Sequence, residues 1–319
     1  MATFDGPKLA ALRAQFQRDG YLVLQGYFSS ARIDGLLAEV ARLLREHPLE
    51  IVVDSRLTGQ RAWWADTPYR ETERHKLNDL YLLSDMVRGC ALDEPLAGLL
   101  AALLQEPAVL CNSLNLGKGS ADEPHIDSLF MTPRTPGALA ATWIALEDVH
   151  ADSGPLTYFP GSHRIPLHHF SDGTRHAIRG EMPVWFDYIQ RELKARGIEE
   201  QVFLAKKGDV FIWHSDLVHS GSPIRDMRCT RTSMVCHYFT ESDTRAQGCD
   251  LVPLHGGYWM RRLAQPVTVP PEVFEAGRRF PEENYLARHA DVKAAVAAGH
   301  WPSGYQHYKL HGFKEGRGI

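Results

Sequence analysis

Glu123-Pro124-His125-Ile126-Asp127-Ser128-Leu129-Phe130 is the stretch on which the reading of this chain turns, together with Leu217-Val218-His219-Ser220-Gly221 far downstream. His125 and Asp127 stand two apart, a spacing that puts both side chains on one face of a β-strand. An imidazole beside a carboxylate makes two adjacent corners of a metal site. A third ligand from another strand, for which His219 is the candidate, completes a two-histidine, one-carboxylate facial set that leaves positions open on a non-heme Fe(II). A zinc site of structural type would call for four protein ligands, usually with cysteine, and no cysteine neighbours His125.

Working outward, the flanking chain carries Trp143-Ile144-Ala145-Leu146-Glu147-Asp148-Val149, Ser153-Gly154-Pro155-Leu156 and Phe159-Pro160-Gly161-Ser162-His163-Arg164. Beyond these come Lys207-Gly208-Asp209-Val210-Phe211-Ile212-Trp213-His214, the His219 segment, and Thr230-Arg231-Thr232-Ser233-Met234-Val235-Cys236-His237-Tyr238. Strand-like runs at 108–116, 139–149, 156–159, 201–205, 209–214 and 231–240, punctuated by Gly and Pro, argue for an antiparallel sandwich or barrel. Helical patterns precede it: 7–18, a helix capped at Ser30 through Ile33, Leu36, Leu37, Val40 and Leu44, and 93–105 with Leu96, Leu99, Leu100, Leu103 and Leu104 on one face. A further helix over 182–196, with Phe186, Ile189 and Leu193 on one face, interrupts the strands.

In their order and spacing these motifs resemble the phytanoyl-CoA dioxygenase (PhyH) family of Fe(II)/2-oxoglutarate-dependent oxygenases, over about residues 16–239. The resemblance implies a mainly β protein with flanking helices (α+β), whose core is a double-stranded β-helix, that is, a cupin-like jelly roll, behind an N-terminal helical scaffold. It implies Fe(II) held by His125, Asp127 and His219, with 2-oxoglutarate and O2 as co-substrates. The expected outcome is hydroxylation of a small-molecule, carrier-linked or glycan-linked substrate, with succinate and CO2 released. In related halogenases a small residue replaces the carboxylate; Asp127 is present here, which favours hydroxylation or a related oxidation.

The far carboxylate of 2-oxoglutarate needs a fixed cation, and a guanidinium fork suits it. Arg231, twelve positions after His219, opens the next apolar strand and is the candidate, with Arg225 and Arg228 as rivals on a basic loop. The resemblance also suggests Trp143 beside the co-substrate, Ser222 or Ser220 as a hydroxyl support, and Lys76 as a second cation. Trp143 is equally an ordinary core tryptophan in a buried strand. The less regular stretch 49–88, with Trp63-Trp64, could cover the site mouth or pack outside the sheet. Trp63, Trp64, Phe130, Tyr158 and Trp185 are candidates for lining a substrate pocket, or for core.

The composition narrows the field. Hydrophobic residues make up 44% and charged residues 23% of 319 positions, ordinary for a globular protein. A net charge of −4 offers no electrostatic case for nucleic acid or an anionic membrane. Five cysteines, an odd number without metal-binding pairs, suggest reduced thiols. No basic start or apolar run marks a secretory signal and no run is long enough to span a bilayer, so no membrane insertion and a cytoplasmic location are expected. Residues 1–265 are expected to form the oxygenase domain, and 266–319 a helical appendage resembling a module attached to bacterial surface-related and glycosyltransferase proteins. Two other readings compete: a catalytically silent binding module on the same fold, and a metal-dependent hydrolase on a cupin-like barrel.

Overall fold

The computed structural model describes residues 4, 6–55, 59–67 and 74–319. Its elements begin with α1 (Gly6–Asp19), β1 (Tyr21–Leu24), α2 (Ser30–Glu46), β2 (Val52–Ser55), β3 (Arg61–Trp63) and β4 (His75–Asn78). Next come α3 (Asp85–Ala91), α4 (Glu94–Leu104), β5 (Ala108–Leu116), β6 (Leu139–Ala145), β7 (Leu156–Tyr158), α5 (Met182–Arg196), β8 (Gln201–Phe203), β9 (Val210–His214) and β10 (His219–Gly221). The chain continues with β11 (Ser233–Thr240), α6 (Glu241–Arg245), β12 (Asp250–Leu254), β13 (Gly257–Arg261), α7 (Glu272–Glu275), α8 (Glu282–Arg288), α9 (Ala290–Ala297) and α10 (Gly304–His307).

The chain divides into two units, residues 1–43 with 80–262, and residues 44–79 with 263–319. The boundary expected at 265/266 is therefore not the one the contacts draw. The reason is a shared apolar core: Val52 and Trp63 are buried together with Val267, Val269, Phe274, Phe280, Tyr285, Val292 and Tyr308. In this second unit β2 pairs antiparallel with β3 and β4, and α7–α10 supply the rest. The tail histidines serve that packing. His307 Nδ1 bonds the Tyr285 hydroxyl at 2.9 Å, and His289 Nε2 meets the Gly318 carbonyl at 2.9 Å.

In the first unit the large sheet runs β1-β9-β6-β11-β5, every pair antiparallel. The hairpin β12–β13 extends it, with β13 parallel to β5. This hairpin was not expected; its turn residues His255 and Gly256 both have positive φ, the requirement of a tight two-residue hairpin turn. A small sheet, β10-β7-β8, faces the large one. Between them lie Ala141, Trp143, Ala145, Leu156, Tyr158, Phe211, Trp213 and Leu217, the interior of a jelly-roll sandwich.

Strand alternation sorts the two faces of the large sheet. Along β1, Leu22 and Leu24 are buried on one side while Tyr21 and Val23 pack into the interior. Tyr238 of β11 points the other way, its hydroxyl donating to the Ala91 carbonyl at the end of α3 at 2.7 Å. α2 buries Ile33, Leu36 and Leu43. Its cap is Ser29 rather than Ser30: the Ser29 hydroxyl accepts the Arg32 amide at 3.3 Å. α5 spans 182–196 as the pattern predicts, but its buried stripe is Trp185, Ile189 and Leu193, with Phe186 only partly covered. Gly20 ends α1 at φ +81°, and a Cβ there would collide with the His163 ring.

Candidate metal centre

His125 and His219 are direct cross-strand partners. Each donates its amide to the other's carbonyl at 3.0 Å, so the two imidazoles leave adjacent backbones side by side, ring centroids 4.4 Å apart. Asp127 does not continue that strand. Ile126 is extended, but Asp127 opens a 3-10 turn through Leu129, so the same-face argument from strand spacing holds only as far as Ile126. The carboxylate nevertheless turns toward both rings: its Oδ1 lies 3.6 Å from His219 Nε2 and 3.9 Å from His125 Nε2. One ligand atom from each of the three residues falls within 4.8 Å of the others, the only such cluster of His, Cys, Asp and Glu among the described residues.

Both rings are oriented for metal. His125 Nδ1 donates to the Glu123 carbonyl at 2.7 Å and His219 Nδ1 to the Leu217 carbonyl at 3.0 Å, so each ring turns its Nε2 toward Asp127. Asp127 is buried, and burial by itself would raise its carboxyl. His219, His237 and His125 together outweigh that and hold it well below the usual carboxylate range. The residues present suit an Fe(II) ion: mixed N and O donors converging in one cluster.

Two neighbours of Asp127 escaped the sequence reading. Trp213 of β9 donates its indole N–H to Oδ2 at 2.7 Å, and His237 of β11 brings Nε2 to 3.6 Å from the same oxygen. A signal for His237 existed: with Arg231 inward, alternation along β11 turns residues 233, 235 and 237 inward as well.

Arg231 precedes β11, and its amide donates to the Gly117 carbonyl at 3.1 Å. Its side chain is 3% exposed and its guanidinium lies over the Trp143 ring, 5.8 Å from the centroid. Register explains the meeting: Trp143 opposes Val235, on the face that also carries residue 231. The Arg231 Nη1 donates to the Gly154 carbonyl at 2.8 Å, while its Nε and the Trp143 Nε1 are buried without a partner. No carboxylate pairs with Arg231 among the described residues. Burial lowers its pKa to about 10, so it remains a cation at neutral pH. Its rivals stand in solvent, Arg225 beside Asp152 at 3.9 Å and Arg228 on Asp226 at 2.7 Å.

Ser222 is half-buried and lines a groove of about 780 Å³ with Thr157 and Ser220, whose hydroxyls bond each other at 2.6 Å. Lys76 is on β4 of the second unit, opposite Asp54. In the stretch 49–88, residues 56–58 and 68–73 lie outside the described residues; Trp63 is core of the second unit and Trp64 stacks edge-on with His75. Tyr158 and Trp185 are core, whereas Phe130 is 54% exposed with its ring 5.9 Å from that of His125. The cysteines are free thiols, and no helix among the described residues is long and apolar enough to cross a membrane.

Comparison with known proteins agrees with this architecture. The epimerase SnoN, in a crystal structure with Fe3+, alpha ketoglutarate and nogalamycin RO, is similar with a TM-score of 0.55 at 23% identity, over 81% of this chain and 100% of that one. The peroxisomal phytanoyl-CoA dioxygenase of Bos taurus is 24% identical over 238 residues, 71% of this chain and 67% of the relative. A phytanoyl-CoA dioxygenase domain-containing protein 1 of Danio rerio is 33% identical over 110 residues, 32% of this chain; the match spans about a third, 34%, of that protein. The family model for phytanoyl-CoA dioxygenase (PhyH) matches residues 16–231, from α1 to Arg231, and the chain belongs to that family.

Proposed function

We propose that the protein is an Fe(II)- and 2-oxoglutarate-dependent oxygenase that hydroxylates a small-molecule, carrier-linked or glycan-linked substrate. The observation that carries this reading is a complete His-Asp-His set in the same unit as a buried arginine that meets no carboxylate among the described residues. When bound, iron and 2-oxoglutarate supply the oxidative chemistry, O2 being consumed and succinate and CO2 released. The chain's own residues hold and shield. His125, Asp127 and His219 hold the metal through Nε2, Oδ1 and Nε2, their other polar atoms already occupied. Arg231 takes the far carboxylate of 2-oxoglutarate, its free Nε offering the second arm of a fork, and Trp143 adds an indole N–H. The aromatic interior of Tyr158, Phe211 and Trp213 keeps water from the inner side.

SnoN's structure with Fe3+ and alpha ketoglutarate supports the cofactor pair. The competing hydrolase reading leaves Arg231 charged, buried and without a role. Ser222 and Lys76 take no part in the proposal. The test is an anaerobic titration with Fe(II) and 2-oxoglutarate, following the visible charge-transfer band of the chelate. Wild type is expected to develop the band and His219→Ala to lose it; metal-loaded wild type without a band would remove the co-substrate from the assignment.

A further inference from the structure

We propose that Trp213 is a positioning residue which decides the oxygen Asp127 presents to the metal. This rests on the metal reading of the triad. The backbone does not settle the matter: Asp127 begins a 3-10 turn, so no strand register directs its carboxylate, and its two oxygens are chemically equivalent until something distinguishes them.

Trp213 distinguishes them. Its indole N–H bonds Oδ2 at 2.7 Å, leaving Oδ1 as the atom that faces His125 and His219. The indole is itself fixed. It is 2% exposed, sits opposite the small Ala141 on β6, and touches Phe211, His219 and His237 at ring distances of 6.0, 5.1 and 6.4 Å. His237 lies on the same Oδ2 side, with its Nδ1 at 3.0 Å from Asn112 Oδ1. The carboxylate thus has a side given over to protein and a side given over to metal, and ligates through one oxygen. Without the indole donor Oδ2 keeps only His237, at 3.6 Å, and is no longer held away from the ion. The second would occupy a position that a facial set keeps open for co-substrate.

Trp213→Phe removes the N–H and keeps most of the ring. The experiment titrates Co(II), a redox-stable stand-in for Fe(II), into wild type, Trp213→Phe, Asp127→Ala and the double variant, with circular dichroism verifying that each is folded. If Trp213 acts through Asp127, the single variant loses about tenfold to a hundredfold in Co(II) affinity, whereas adding Trp213→Phe to Asp127→Ala changes affinity less than twofold. Equal losses in both backgrounds, or none in wild type, overturn the proposal and leave Trp213 as packing alone. Should Asp127→Ala bind too weakly to titrate, the Co(II) ligand-field spectrum of saturated Trp213→Phe decides. A spectrum altered from wild type supports a changed carboxylate mode, and an unchanged one overturns it. Failure of wild type itself to bind Co(II) refutes the metal reading, a different result from failure of the Trp213 assignment.

Discussion

Two places in the first unit treat their polar atoms in opposite ways. Around Asp127 nearly everything is committed: each histidine Nδ1 has its carbonyl, and Oδ2 has the Trp213 indole. Around Arg231 a guanidinium Nε and an indole Nε1 are buried with nothing to bond. Buried polar groups in folded proteins are overwhelmingly satisfied, so orphans side by side ask for a missing partner. The first place is finished by the fold, and it waits only for an ion. The second place is finished only by a ligand, and it bears the cost of waiting.

The largest effect that would break this contrast is at the orphaned end. Arg231→Ala should weaken 2-oxoglutarate binding by about 2–4 kcal/mol, some 30- to 1000-fold, because it removes a desolvated partner of a carboxylate. Metal affinity should stay within a few-fold, since none of the three ligands bonds Arg231. Isothermal titration with Mn(II) in place of Fe(II) separates the two. A variant that lost metal and co-substrate together would mean that the two places are one structural unit.

A second effect is smaller and has the opposite sign. Burial lowers Arg231 from 12.5 to about 10, which means the fold penalises its charged form at every pH below that value. The penalty is therefore fully present at neutral pH and is relieved only as pH rises past about 10. Arg231→Met keeps the bulk and discards the charge, so the ligand-free protein should gain about 1–3 kcal/mol and melt a few degrees higher between pH 6 and 8. It should no longer gain stability from added 2-oxoglutarate. Thermal melts with and without the ligand test both halves; a lower ligand-free midpoint would show that the bond to Gly154 and the contact with Trp143 outweigh the desolvation.

The sequence made some of this visible for physical reasons. His125-Ile126-Asp127 and His219 stood out because they fall within an ordered series of motifs that resembles the PhyH family, a His-x-Asp pair alone being common, and the strands were marked by Gly and Pro. What stayed hidden needs pairing between distant segments. Trp213 and His237 reach Asp127 only because β9 and β11 flank β6 in register at Ala141, which no local period reveals. The 3-10 turn at Asp127 imitates strand spacing over three residues. In the same way, nothing in residues 44–79 alone tells that Val52 and Trp63 will share a core with Phe274 and Tyr308. Periodicity says that a face is apolar; it does not say what covers it.

Trp143 gives the smallest effect and the sharpest use of the contrast. Trp143→Phe deletes a single neutral donor, so 2-oxoglutarate should bind about 0.5–1.5 kcal/mol more weakly, roughly twofold to tenfold. The ligand-free protein should not suffer correspondingly, because the deleted N–H had no partner there to lose. The ratio of the two changes is what matters. Weaker binding with unchanged ligand-free stability identifies the orphaned indole as a donor reserved for the co-substrate. Unchanged binding with a more stable ligand-free protein would reduce it to a flaw in packing. Arg231 would then be the sole group at that end whose partner comes from outside the chain, and the co-substrate would be held by charge without the second donor.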